Sequence, residues 1–300
     1  MSEDKKADAT VCCASCGIAV IDDIKLMECD DCDLVKYCSD ECQNNHKSQH
    51  KKECKKRAAD LRDQLLFKQP ESTHMGDCPI CSVPMPLDPK RYITYECCSK
   101  VVCMGCVLAN GFREKKAAKC LSCPFCRSDA GKFGSKKERD KLRMKRVKAN
   151  DPVAIFEEGI QQYKKGDYHS AFEYYTKAAD LGNAEAHFEL AHLYHDGKGV
   201  EKDEGKEIHH FEEAAILCHP HARVLLGIVE YSNNNLDRAV KHWLISATQG
   251  YDAAIKMLMD GFKEGYVEKE DLAAALRAQK AALDETKSPQ RKAADEFRGL

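Results

Sequence analysis

The spacing of its cysteines constrains this chain more than any other feature. All but Cys218 of its 18 cysteines lie within residues 12–126, many as C-x2-C pairs on which a tight turn aims two thiolates at one zinc ion. In a reducing compartment such thiols are metal ligands rather than disulfide partners. The opening MSEDKKADAT lacks an apolar stretch before a small-residue cleavage site, and no run is apolar enough to span a membrane. The expectation is therefore a protein of the cytosol or nucleus.

The first cysteine field pairs Cys13 with Cys16, Cys29 with Cys32, Cys38 with Cys42 and His50 with Cys54. Eight ligands make two tetrahedral sites, and the last two pairs, at i,i+4, meet an ion from one helix face. The string YCSDECQNNHKSQHKKEC with the upstream pairs resembles the MYND zinc finger. That resemblance implies interleaved ligation: Cys13, Cys16, Cys38 and Cys42 on one zinc, Cys29, Cys32, His50 and Cys54 on the other, with Cys12 a spare thiol. His46, one turn before His50, is read as a surface group or as a support behind a ligand. MYND fingers typically bind short proline-containing peptides, and Gln43 matches a glutamine of their groove. Lys47 stands where many members carry tryptophan, so an apolar anchor of that groove is missing.

The second field reads CPIC, ECCSKVVCMGC and CLSCPFCR, and its spacing resembles an all-cysteine RING finger. The resemblance implies one site of Cys78, Cys81, Cys103 and Cys106. A second site takes Cys123 and Cys126 with Cys97 and Cys98, or with a mixture that uses Cys120. It also implies a ubiquitin-conjugating enzyme as partner and E3 ubiquitin transferase activity by positioning rather than covalent chemistry. Ile80 and Pro124 match the docking contacts, and Arg127, whose planar fork can bridge two carbonyls, matches the cationic linchpin. The competing reading gives these three only structural or ordinary surface roles.

From Asp151 the pattern becomes helical. Asp151-Pro152 is an N-cap and N1 pair, and Val153, Phe156, Ile160 and Tyr163 mark one helix face. Two amphipathic helices broken at Gly182 and closed at Gly197 and Gly199 are read as one hairpin. Ala178-Ala179 is echoed by Ala214-Ala215 and Ser246-Ala247, intervals of 36 and 32 residues that fit a helical solenoid. Gly182, Ala186, Leu190, Tyr194, Gly197 and Gly199 resemble a Sel1-like repeat, a relative of the tetratricopeptide repeat. Later copies are degenerate, with Cys218 and His219 at a turn and Trp243, Ala247 and Gly250 keeping the spacing. Phe172, Tyr175, Leu190, Tyr194, Leu225 and Trp243 are assigned to the core. His209, His210, His219 and His221 are expected on the surface, and Cys218 as a small buried residue.

Residues 151–300 carry 18 Lys+Arg against 27 Asp+Glu, and residues 1–150 carry 29 against 22. The basic surplus does not imply nucleic-acid binding, because thiolates on four zinc ions bring that half close to neutrality. The basic run from Lys136 to Lys148 is read as a solvated connector, with a nuclear-import or phosphate-contacting patch as the alternative. No aromatic interleaves it to stack bases.

The expected fold class is multidomain: two small zinc-stabilised, cross-braced α+β fingers followed by an all-α helical-hairpin repeat solenoid. The expected divisions are a disordered stretch at 1–11, a MYND-type finger at 12–54, a helical linker at 55–74, a RING-like finger at 75–130, a basic linker at 131–150, Sel1-like repeats at 151–283 and a tail at 284–300. The order resembles a group of algal multidomain proteins. With about four Zn²⁺ ions and no hydrolase or redox motif, the chain reads as an interaction scaffold for protein clients or peptides, a candidate ubiquitin ligase. The alternative is a non-enzymatic adaptor or transcriptional co-regulator.

Overall fold

In the first finger, β1 (Met27–Glu28) lies antiparallel to β2 (Lys36–Tyr37), with Met27 opposite Tyr37. Ser39 then caps the next helix, its Oγ accepting from the Cys42 N–H at 3.3 Å, and Asp40 and Glu41 suit the positive end of the helix dipole. Helix α1 (Asp40–Leu66) runs unbroken through His50 and Cys54, so the helix expected in the linker is a continuation of the ligand helix. The core here is Cys13, Cys29, Cys32, Cys54 and Tyr37. A module with so few buried aliphatics depends on metal to fold.

This computed structural model describes residues 12–17, 26–116, 122–128 and 135–300, and the chain forms two units, Met1–Lys68 and Gln69–Leu300. The stretch 1–11 and Cys120 lie outside the described residues. No helix among the described residues is long and apolar enough to cross a membrane.

The second unit begins with the second finger. Strands β3 (Tyr92–Tyr95) and β4 (Lys100–Cys103) pair antiparallel, Tyr92 opposite Cys103, and α2 (Met104–Lys116) follows directly. Met85, Tyr95, Val102 and Val107 pack with the buried ligands Cys78, Cys103 and Cys123.

Helix α3 (Lys136–Lys148) opens with a Ser135/Glu138 capping box. It is no solvated connector, which corrects the sequence reading. Val147 and Met144 join the core of the helical part, and buried Arg143 donates to Glu158 at 2.8 Å. Arg139 reaches Glu96 of the finger at 3.8 Å, and Arg146 pairs with Asp151. Carboxylates therefore neutralise three of the run's arginines.

Then come α4 (Pro152–Lys164), α5 (Tyr168–Asp180), α6 (Ala184–Asp196), α7 (Glu204–Ile216), α8 (Pro220–Ser232) and α9 (Leu236–Thr248), each of 13 residues. They pack as hairpins α4/α5, α6/α7 and α8/α9. The phase differs from the hairpin read across Gly182, because that turn links one hairpin to the next. Gly182, Cys218 and Gly250 occupy equivalent left-handed positions in the three linking turns, at φ of +80°, +68° and +81°. Cys218 is thus a half-buried turn residue rather than a core one. Of the six residues assigned to the core, Tyr175, Leu190, Tyr194 and Trp243 are buried, and Phe172 and Leu225 are half-buried.

Helices α10 (Asp252–Glu264) and α11 (Lys269–Glu285) extend the stack, and α12 (Pro289–Arg298) turns back onto α2 of the second finger. The expected C-terminal tail is therefore a docked element. Segment 72–74 lies along the linking turns: the Gln249 amide donates to the Ser72 and Cys218 carbonyls at 3.3 and 2.8 Å, and the His74 N–H to the Cys218 carbonyl at 3.1 Å. The second finger and the helices are one packed body.

Candidate metal centres

Four clusters, each of four ligand atoms lying within 4.8 Å of one another, emerge from this fold: Cys13/Cys16/Cys38/Cys42, Cys29/Cys32/His50/Cys54, Cys78/Cys81/Cys103/Cys106 and Cys97/Cys98/Cys123/Cys126. In each finger the first ligand pair joins the third and the second joins the fourth, which cross-braces the chain. Helix α1 supplies Cys42, His50 and Cys54. Turns supply the N-terminal pairs, and β4 with the first turn of α2 supplies Cys103 and Cys106.

The distances suit zinc. A tetrahedron with Zn–S arms of about 2.3 Å has S···S edges of about 3.8 Å. The sulfurs lie 3.6 Å apart for Cys16–Cys38 and Cys38–Cys42, 3.7 Å for Cys29–Cys54, 3.9 Å for Cys78–Cys106 and 3.8 Å for Cys81–Cys103 and Cys98–Cys123. Cys97–Cys126 is 3.4 Å, and Cys32 Sγ lies 3.0 Å from His50 Nε2. The protons behave as a metal site demands. Hydrogen bonding from Cys103 draws the Cys78 thiol down to about 4, whereas burial, then the Cys78 charge, pushes Cys106 up to about 12. Cys78 forms its thiolate readily while Cys103 and Cys106 resist, so a full set of four thiolates needs a cation among them.

Of the groups behind the ligands, the sequence reading singled out His46 as a surface group or a support, and missed Tyr37, Glu114 and Ser122 for want of any local signal. The Tyr37 hydroxyl lies 3.1 Å from His46 Nδ1, and the His46 ring stacks at 5.7 Å on ligand His50. Glu114 accepts from the Ser122 N–H at 2.9 Å and from its hydroxyl, which anchors the loop carrying Cys123 to α2.

The three expected docking positions have different fates. Ile80 is 41% exposed and Arg127 is exposed, its Nη1 donating to Asn110 Oδ1 at 3.3 Å. Pro124 is buried, and the exposed apolar group there is Phe125. On α1, Gln43 is half-buried and Lys47 exposed.

His219, expected on the surface, is buried, and His210 and His221 are half-buried; only His209 of the four is exposed. Burial, chiefly, holds His210 and His221 down at about 4. Glu185 Oε1 lies 2.8 Å from His74 Nε2, and Oε2 lies 3.5 Å from His219 Nε2. Proximity makes this trio a metal candidate, but its chemistry argues otherwise. His219 Nδ1 accepts the Ala222 N–H that caps α8, which places the imidazole proton on Nε2, facing Glu185. The His74 and His219 rings also stack at 4.4 Å instead of converging on a point. The trio is a carboxylate held by two imidazole N–H groups that fastens segment 72–74 to the solenoid. Burial would raise the Glu185 pKa, but the two imidazoles outweigh it and hold the carboxyl well below its usual range.

Cross-braced thiol clusters beside a helical-repeat stack define a zinc-finger interaction scaffold. The family models agree. Residues 13–54 match the MYND finger family, and residues 154–183, 184–217 and 224–251 match the Sel1 repeat, so the chain carries one MYND finger and three Sel1 repeats. Over 68 residues it is 34% identical to an exopolysaccharide production negative regulator of Rhizobium leguminosarum bv. viciae. That match covers 23% of this chain and 26% of the relative. Among solved structures, a Sel1 repeat protein from Oxalobacter formigenes is similar at TM-score 0.43 and 22% identity, over 59% of this chain and 71% of that one. The protective antigen c5321 of uropathogenic Escherichia coli is similar at TM-score 0.38 and 21% identity, over 54% of this chain and 36% of its own.

Proposed function

We propose that the four clusters each bind one structural zinc, that residues 75–130 form a RING-like module recruiting a ubiquitin-conjugating enzyme, and that the Sel1 repeats hold the client. The observation that carries the ligase reading is the cross-braced second finger with Ile80 and Arg127 on its surface. Such a module has no nucleophile. Ile80 supplies an apolar contact, and the Arg127 fork bridges carbonyls of the enzyme and its carried ubiquitin, so acceleration comes from positioning. Zinc in closed four-ligand sites is structural and takes no part in transfer.

The burial of Pro124 favours a second reading, a non-enzymatic adaptor, because it removes one of three expected contacts. Autoubiquitination of the purified full chain across a panel of conjugating enzymes separates the two. The ligase reading expects transfer that Ile80→Ala or Arg127→Ala abolishes, with zinc unchanged at about four per chain. Full zinc content with no transfer by the unmodified protein establishes the adaptor.

A further inference from the structure

Arg291 sits in the first turn of α12, yet its side chain leaves that helix for the second finger and is only 8% exposed. Nη1 donates to the Pro84 and Thr286 carbonyls at 2.6 and 2.7 Å. Nη2 donates to the Val83 carbonyl at 2.9 Å and lies 3.8 Å from Cys81 Sγ. Three carbonyls take hydrogens of the two Nη groups, but they do not balance the charge and the buried Nε–H has no partner; an uncompensated buried guanidinium is costly. No described carboxylate forms an ion pair with it; what it faces instead is the sulfur of Cys81, one of the four ligand atoms of the first cluster of this finger. Four thiolates around one divalent zinc carry a net charge of about −2, the counter-charge a buried guanidinium requires.

The helix is fitted to the ligand segment at several points. A Cβ on Gly105, between ligands Cys103 and Cys106, would fall 2.8 Å from the Arg291 backbone nitrogen and 3.0 Å from the Gln290 carbonyl carbon. Only glycine there lets α12 lie against α2. Phe297 meets Phe112 edge-on at 5.6 Å, Asp295 lies 3.7 Å from Arg91, and Arg298 donates to the Lys90 carbonyl.

We infer that Arg291 is the outer-sphere partner of the zinc held by Cys78, Cys81, Cys103 and Cys106, and that loading of this site and docking of α12 are one linked equilibrium. The inference rests on zinc occupying that cluster, not on ubiquitin transfer. Zinc fixes the knuckle whose carbonyls and sulfur the fork reads. Without it the knuckle loses its fixed shape, the Val83 and Pro84 carbonyls and the Cys81 sulfur no longer line up with the fork, and α12 leaves the finger. By linkage, a docked α12 tightens the zinc by the same factor.

The test uses the full chain loaded with zinc. Its readouts are zinc release into excess chelating dye, following each equivalent, and hydrogen exchange over residues 289–298. Arg291→Met is expected to speed release of one equivalent by about 10- to 100-fold and leave the others unchanged. Arg291→Lys, which keeps the charge but not the fork, falls between. Gly105→Ala, which leaves the guanidinium intact but displaces α12, gives the same acceleration as Arg291→Met. In the unmodified chain, residues 289–298 lose protection as that equivalent departs. Superimposable release from the unmodified and Arg291→Met chains overturns the inference, as does equal acceleration of every equivalent or protection of 289–298 that survives complete removal of zinc.

Discussion

Glu189 lies one helical turn beyond Glu185 on α6, and burial, then the Glu185 charge, pushes its carboxyl up to about 7. The folded state therefore binds this proton more tightly than the unfolded chain, whose glutamates titrate near 4.3. The resulting penalty is absent below the unfolded value, grows as pH rises and is complete above the folded one. Glu189→Gln should add about 1.5 kcal/mol of stability at pH 5.5 and about 3 kcal/mol at pH 8, measured by urea denaturation at both values. A gain independent of pH would mean that burial leaves this carboxyl untouched. At this scale most of the clustered thiols were legible as pairs, because i,i+3 and i,i+4 spacings are local geometry; the adjacent Cys97 and Cys98 were not, and stood open against Cys120. Glu114, His74 and Arg291 were not, since nothing near them in sequence marks the partner each one meets. His219 misled for the same reason: it sits 34 residues from Glu185.

Between elements, packing follows a small-against-large rule. Gly159 on α4 lies beneath Tyr175 on α5, and Gly227 on α8 lies beneath Trp243 on α9. The matching positions in the middle hairpin hold buried Ala191 and Phe211. A Cβ on Gly227 would stand 2.2 Å from Trp243 Nε1. Replacing a helical glycine by alanine gains up to about 1 kcal/mol of propensity, but overpacking costs about 1–3 kcal/mol. Gly227→Ala should therefore destabilise, while Gly205→Ala in α7, whose nearest neighbour would be 3.4 Å away, should stabilise. Chemical denaturation of the two variants checks both signs. Equal gains would show that α8 and α9 shift apart freely. The unequal repeat intervals have a plain cause: the helices share one length, and the loop at 197–203 is longer than those at 165–167 and 233–235. The sequence exposed this periodicity but not its phase, because turns inside and between hairpins both carry glycine.

Across the whole molecule, the second finger was read as a bead on a basic linker, and it proves to be built into the helical part. The contacts that weld it there join polar side chains far apart in sequence, so the connecting segments looked solvated. Removing zinc should leave α4–α9 helical, since they have their own apolar core, but should lower their melting midpoint as the finger and α12 let go. Far-ultraviolet circular dichroism with and without chelator measures this, and an unchanged midpoint would mean the finger lends the solenoid nothing. The bonds from Arg291 to the finger span 207 to 210 residues. From the finger's last ligand, Cys126, to Arg291 is 165 residues (291 − 126), so a ribosome adding about 5–20 residues per second finishes the finger roughly 8–30 seconds before its covering helix exists. The nascent finger must take up its first zinc uncovered, and a helix made long afterwards decides how firmly that ion is kept.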